Sequence, residues 1–179
     1  MTNNPDQENV ILLLTRPLDG NERFCLKIKH LLYSCEILDN PIQKIDFLPS
    51  LGKVNKNSVL IFTSANGLRA AKKQNLLNKK CFVVGANTKK IAVSFGYDVL
   101  GFSKDQENLL KLIKSKKPTE SMVHIRGKHT VGNLCDALKR NQFSCLDIIG
   151  YNQEPLKIKK QNLQKIQSGR PVILPIFSS

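Results

Sequence analysis

The stretch VLIFTSANG, residues 59–67, decides the fold. Its opening residues are apolar and rich in β-branching, as in a strand buried on both faces. Thr63, Ser64 and Asn66 then supply hydroxyls and an amide, the residue types that cap a helix. A strand that runs straight into a capped helix is the building unit of a parallel sheet. The unit recurs. VILLL (10–14) precedes Phe24, Ile28, Leu31 and Leu32 at helical spacing, and SCEIL follows as a short strand. VLIF leads to a helix from Ser64, CFVV to a helix around Thr88 to Phe95, and YDVL comes next. Leu109, Leu110, Leu112 and Ile113 mark a helix before MVHI, and Val131, Leu134, Cys135 and Leu138 mark another before CLDII. Alternation of this kind predicts an α/β fold of two doubly wound parallel-sheet domains, flavodoxin-like in plan, with right-handed crossovers.

Residues 59–149 hold five strands and four helices, enough for one such domain. The opening strand–helix–strand is too short to stand alone. Between them DNPIQKIDFLPSLGKVNKNS, with Pro41, Pro49 and Gly52, reads as a connector, and YNQEPLK as a second one. Near the end Leu163 and Ile166 mark a helix stopped by Gly169, and PVILPIFSS begins a strand. Pro175 within it implies an edge or a break. The organisation expected is a discontinuous outer domain, residues 1–40 plus 156–179, carrying an inserted inner domain over 41–155. The outer domain is expected to be incomplete, the chain being truncated by roughly 60–90 residues at about 30 per βαβ unit.

Composition narrows the function classes. At 179 residues and 41% hydrophobic content the chain can bury a core, which argues against disorder. No apolar run reaches the ~18 residues of a membrane span. The polar start MTNNPDQENV has no signal-peptide pattern, so a cytoplasmic protein is expected. Five cysteines without a C-x-x-C pair predict reduced, structural thiols. His30, His124 and His129 show no metal-ligand spacing, so no metal is expected. A net charge of +14 is spread over dispersed lysines, which reads as a solvated surface. With 6% aromatics and no Trp there is no set of rings on which bases could stack, so nucleic acid is disfavoured as a partner.

The strand ends share a chemistry. They present Thr15 and Arg16, Thr63 and Ser64, Gly85, Asn87 and Thr88, Arg126, Gly127 and Lys128, and Ser178 with Ser179. Any one of these is explained as a helix cap, for which Ser64 and Thr88 are suited, or as a tight turn. Together they predict an anion-binding edge, because the carboxyl ends of parallel strands face the N–H groups of helix N-termini. Neither G-x-G-x-x-G nor G-x-x-x-x-G-K-[ST] occurs, which disfavours a nucleotide phosphate loop.

In order and spacing, ILLLTRPLDGNERF, IFTSANGLRAA, CFVVGANTKKIAVSFGYDV, VHIRGKHTVGNLCDAL, IIGYNQEP and ILPIFSS cover nearly the whole chain. As an ordered set they resemble the uroporphyrinogen-III synthase (HemD-like) family. The resemblance implies two α/β domains joined by a two-stranded connector, a site in the cleft between them, and no cofactor. It implies hydroxymethylbilane, a linear tetrapyrrole with eight carboxylates, as the substrate and uroporphyrinogen III as the product of this lyase of heme biosynthesis. Tyr151 matches a family tyrosine proposed to assist departure of the hydroxyl. Ser64, Thr88 and Ser178 match positions lining the cleft. Thr15, Arg16, Thr63, Gly85, Arg126 and Gly127 complete the expected substrate-binding set, in a protein expected to act as a monomer. Two alternatives stay open: a non-catalytic α/β binding module or inactive paralogue, and a basic nucleic-acid-binding domain.

Overall fold

The computed structural model describes residues 10–30, 35–77 and 79–176. Strand β1 (Val10–Leu14) leads to helix α1 (Leu18–Lys27), β2 (Cys35–Asp39) and β3 (Gln43–Phe47). Then come β4 (Val59–Phe62), α2 (Ala65–Lys73), β5 (Lys80–Val84), α3 (Ala86–Ser94), β6 (Asp98–Ser103) and α4 (Gln106–Lys116). The rest is β7 (Met122–Gly127), α5 (Leu134–Arg140), β8 (Cys145–Pro155), α6 (Lys160–Ile166) and β9 (Val172–Ile173). The fold is the expected α/β class with parallel-dominated sheets. By its contacts the chain divides into two compact units, Met1–Lys44 with Glu154–Ser179, and Ile45–Gln153.

The continuous unit is built on a sheet of order β3-β8-β7-β4-β5-β6. Alternation along β4 assigns its two faces: Leu60 and Phe62 enter one core cluster, Val59 and Ile61 the other. The first cluster takes Leu68, Ala70 and Ala71 from α2 and Ala92 from α3, and the second takes Leu109 and Ile113 from α4 and Leu134 and Leu138 from α5. Burial on both faces is why these strands read as continuous apolar runs rather than alternating ones. Starting at β4, the chain winds outward through β5 to β6, then returns to lay β7 and β8 on the other side of β4.

Local outcomes differ from the segment-by-segment reading in four places, and the first two of them give the two-stranded connector that the resemblance implies. The first connector contains β3, whose Ile45 and Phe47 pack on the first core cluster. Its bonds Leu48 N–H to Gly150 O (3.0 Å) and Leu156 N–H to Ile42 O (2.8 Å) continue an antiparallel ladder along β8. That pairing extends β8 through YNQEP, so the second connector is also strand. Thr88 does not cap its helix; Gly85, at φ +87°, takes the N-cap position and Thr88 lies buried inside α3. Val131 lies before α5 and is 91% exposed, its helical spacing from Leu134 being coincidental.

The discontinuous unit has a parallel sheet of order β2-β1-β9. Its core is small, formed by Ile11, Leu13 and Leu38 with Ile166 against them. Buried polar residues add the rest. Asn21 donates to Leu14 O (3.3 Å) and to Asp39 Oδ1 (2.5 Å), while Asn40 Oδ1 accepts from Lys159 N–H (2.8 Å) and Asn162 Nδ2 (3.0 Å). Glu36 binds Lys165 and Arg170, and these bonds hold its carboxyl below the usual range. Strand β9 ends before Pro175, which fits the break expected there.

The expectation of reduced thiols fails at one pair. Cys135 on α5 and Cys145 at the start of β8 form a disulfide, with Cα atoms 5.3 Å apart. The tight turn after α5 places the helix face over the strand it feeds, so residues ten apart in sequence meet. Cys25, Cys35 and Cys81 are free.

Candidate functional site

The winding of the continuous unit reverses between β4 and β7, and in open α/β sheets ligands bind outside the carboxyl ends of the strands at such a switch point. Two short polar networks stand there, one on each face of the sheet. Strand alternation puts them there.

Ser64 follows the last β4 positions and caps α2, its Oγ accepting from Gly67 N–H at 3.3 Å. The same Oγ lies 2.8 Å from Tyr151 Oη. Tyr151 comes from β8, where a register shift pairs it with Gly127, the last residue of β7. Gly127 must be glycine for this: a Cβ there would stand 2.8 Å from the tyrosine ring and 2.6 Å from the Gln153 amide. Gly67 is equally constrained, since a Cβ would lie 2.5 Å from Ile125 O, so α2 can press its first turn onto β7. Tyr151 is 5% exposed and packs beside Phe47, ring centroids 6.4 Å apart. Burial pushes its phenol above the ordinary tyrosine range, although the bonds from Ser64 and the Gly127 backbone pull the other way.

Thr63 points to the opposite face. Its Oγ1 lies 3.1 Å from His124 Nε2, and His124 Nδ1 lies 2.8 Å from Asp147 Oδ1. Arg126 Nε approaches the same carboxylate oxygen at 3.2 Å, and Arg126 Nη1 donates to Gly127 O at 2.9 Å. His124 is 2% exposed, a polar ring in an otherwise apolar strand, and every buried side-chain polar atom among the described residues has a partner. Burial alone would raise the Asp147 carboxyl; its partners His124 and Arg126 outweigh that and hold it below the usual range. Beside this chain opens a pocket of about 430 Å³ whose lining includes His124, Arg126, Lys128, Asn133 and Asp147.

The expected site residues are therefore grouped in part. Thr63, Ser64, Arg126, Gly127 and Tyr151 come together at β4, β7 and β8. Gly85 and Thr88 lie at the end of the neighbouring β5 and in α3. Thr15 and Arg16 belong to the other unit, where Thr15 O accepts from Ile42 N–H (3.1 Å) and Arg16 N–H donates to Asn21 Oδ1 (3.2 Å). Ser178 lies outside the described residues. His124 and Asp147 were not anticipated as site residues. Their signal was present: MVHI and CLDII each carry one polar residue at the third position, and the register pairs those two.

A doubly wound sheet with donors grouped at its switch point is the architecture of α/β proteins that hold a ligand at their strand ends. The chain belongs to the uroporphyrinogen-III synthase HemD family, whose model matches residues 33–179. Its structure is similar to that of uroporphyrinogen-III synthetase from Helicobacter pylori, at 14% identity and a TM-score of 0.61, covering 93% of this chain and 71% of that one. It is also similar to a mutant uroporphyrinogen III synthase from Thermus thermophilus, at 17% identity and a TM-score of 0.52, covering 82% of this chain and 63% of that one. At these identities the likeness shows the fold. The match spans less than two-thirds of the Thermus protein. No curated protein sequence matches the chain, and no described helix is long and apolar enough to cross a membrane.

Proposed function

We propose that this chain is a uroporphyrinogen-III synthase that closes hydroxymethylbilane to uroporphyrinogen III with inversion of ring D. The observation that carries the reading is the Ser64–Tyr151 pair at the switch point of a sheet belonging to this family. In the proposed reaction the terminal hydroxyl leaves as water, giving an azafulvene that a substituted carbon of ring D attacks. The spiro intermediate then fragments and recloses. Spontaneous closure gives the uninverted isomer I, so the protein's work is positioning, with proton assistance to the leaving group.

The hydrogen bonding suits Tyr151 to that assistance. Ser64 Oγ accepts from Gly67 N–H and stands 2.8 Å from Tyr151 Oη, where either hydroxyl can donate. In the proposed reaction Ser64 donates to the phenol oxygen, so the phenol proton is available to a third group, and burial, which raises the phenol's pKa, keeps it in place at neutral pH. Thr63, Ser64, Gly85, Thr88, Arg126 and Gly127 are proposed to bind substrate carboxylates through side chains and backbone N–H groups, and Thr15, Arg16 and Ser178 are proposed as further substrate-binding residues. The protein is proposed to act as a cytoplasmic monomer without a cofactor for the reaction.

The test is a coupled assay in which hydroxymethylbilane is supplied, products are oxidised, and isomers I and III are separated by chromatography. Isomer III in excess over the spontaneous isomer I supports the proposal. Saturable tetrapyrrole binding with only isomer I formed would overturn it in favour of a binding module. Affinity for generic DNA, falling linearly with log salt, would favour a nucleic-acid-binding domain.

A further inference from the structure

Around the Cys135–Cys145 pair the fold assembles more than two sulfurs. Cys145 and Asp147 stand at i and i+2 of β8, on one face of the strand. His124 is the register partner of Asp147 on β7, and Cys135 comes from α5 above them. One ligand atom from each of His124, Cys135 and Asp147 lies within 4.8 Å of the others, and Cys145 Sγ is bonded to Cys135 Sγ. We propose that His124, Cys135, Cys145 and Asp147 form a redox-gated site for a borderline-soft divalent cation, zinc being the best match.

The donor set decides the ion. Thiolate and imidazole ligands select zinc over magnesium or calcium, and four ligands of N, S, S and O type suit its tetrahedral preference. Ligand atoms bound to one tetrahedral zinc stand roughly 3.3–3.8 Å apart, given Zn–N and Zn–O near 2.0–2.1 Å and Zn–S near 2.3 Å. The observed grouping needs shifts of about an ångström and opening of the disulfide. Surrounding groups fit as well. Thr63 Oγ1 holds His124 Nε2, which leaves Nδ1 facing Asp147, the arrangement that orients a metal-binding histidine. Two thiolates and a carboxylate exceed the charge of the ion by one, and the Arg126 guanidinium on Asp147 offsets it. The pocket lined by His124 and Asp147 provides entry.

Gating follows from the sulfur chemistry. In the oxidised form the sulfurs are bonded to each other and cannot both ligate. A dithiol reductant passes two electrons and two protons to the bridge and gives two thiols, which lose those protons to the solvent as zinc binds. Zinc and the disulfide are then alternative ways of fastening α5 to β8. Local spacing could not show this, because the ligands come from three elements.

The experiment titrates zinc into chelator-stripped protein, fully reduced and then freed of reductant, against a chromophoric competitor. One equivalent should bind to the reduced protein and none to the oxidised protein. Cobalt in place of zinc should show thiolate-to-metal charge transfer with tetrahedral ligand-field bands. Thr63→Val should weaken zinc binding by about 10–100-fold. Because Cys135 and Cys145 are buried and their variants could misfold, the deciding readout uses the unaltered chain. Zinc should protect Cys135 and Cys145 from alkylation, mapped by peptide mass, while Cys25 and Cys35 still react. Equal zinc binding by reduced and oxidised protein, a cobalt spectrum without thiolate bands, or unchanged alkylation of Cys135 and Cys145 would each overturn the proposal.

Discussion

Ser64 Oγ and Tyr151 Oη stand 2.8 Å apart across 87 residues of sequence. One partner caps α2 and the other is set in a β8 strand whose register slips by one residue opposite Gly127. A helix start and a strand irregularity therefore meet at one hydrogen bond. In the proposed reaction that bond aims the phenol proton.

Removing that proton tests the assignment. Tyr151→Phe keeps the ring beside Phe47 and should lower the rate of isomer III formation by about 10²- to 10⁴-fold, with little change in tetrapyrrole binding. A variant that makes isomer III at the parent's rate would reduce Tyr151 to a packing residue.

Ser64→Ala should act on both stability and rate. The lost cap costs about 0.5–2 kcal/mol, read from urea denaturation, and the phenol loses one partner, so the rate falls less than in Tyr151→Phe. Thr88→Ala removes no cap, since Gly85 holds that position, and should destabilise less than Ser64→Ala. The reverse order of the two midpoints would contradict the cap assignment.

Gly67→Ala sets two effects against each other. Alanine gains up to about 1 kcal/mol of helix propensity over glycine. The new Cβ, however, would meet Ile125 O at 2.5 Å, a backbone atom of a central strand that cannot swing away. Overpacking of that kind costs about 1–3 kcal/mol, so net destabilisation is expected. An unchanged or raised urea midpoint would sink the claim that α2 and β7 are in closest approach there.

Stability should fall on the alkaline side. Burial, reinforced by the charge of Asp98, pushes the Cys81 thiol from 9.0 up to about 12. Burial, with Cys81 adding, also raises the Tyr97 phenol, which donates to Leu76 O at 2.6 Å. For groups whose folded pKa is raised, the folded state binds protons more tightly, so the slope of stability against pH is negative between the two pKa values. The Cys81 contribution is whole below pH 9.0 and is lost as pH rises towards 12. Urea midpoints measured through this window should decline, and Cys81→Ala should flatten the decline's first part. A midpoint that rises with pH would refute the burial argument.

Limited proteolysis should leave a fragment of about residues 45–153. That unit has a six-stranded sheet with core clusters on both faces, whereas the other has, among its described residues, three strands and a three-residue core cluster. Regions with few buried apolar contacts open at lower free energy and are cut first. A protease-resistant N-terminal fragment with the 45–153 region digested would be the contrary result.

The sequence by itself determined the element types and the edge on which the donors lie. VLIF and CFVV are apolar throughout, and MVHI but for His124, because both faces of a parallel strand are buried, and that composition is visible in the sequence. Ser64 was legible as a cap for a similar reason: capping is local chemistry, complete within four residues. The Gln43–Phe47 strand was hidden by the turn residues around it, because its pairing partner lies a hundred residues away on β8. What only the tertiary structure decided is which distant residues meet. Register placed His124 on Asp147, the slip at Gly127 brought Tyr151 to Ser64, and the packing of α5 on β8 set Cys135 against Cys145. Each depends on strand order and on steric room at a glycine or a helix face. Those are properties of contacts between segments, and no stretch of the chain carries them alone.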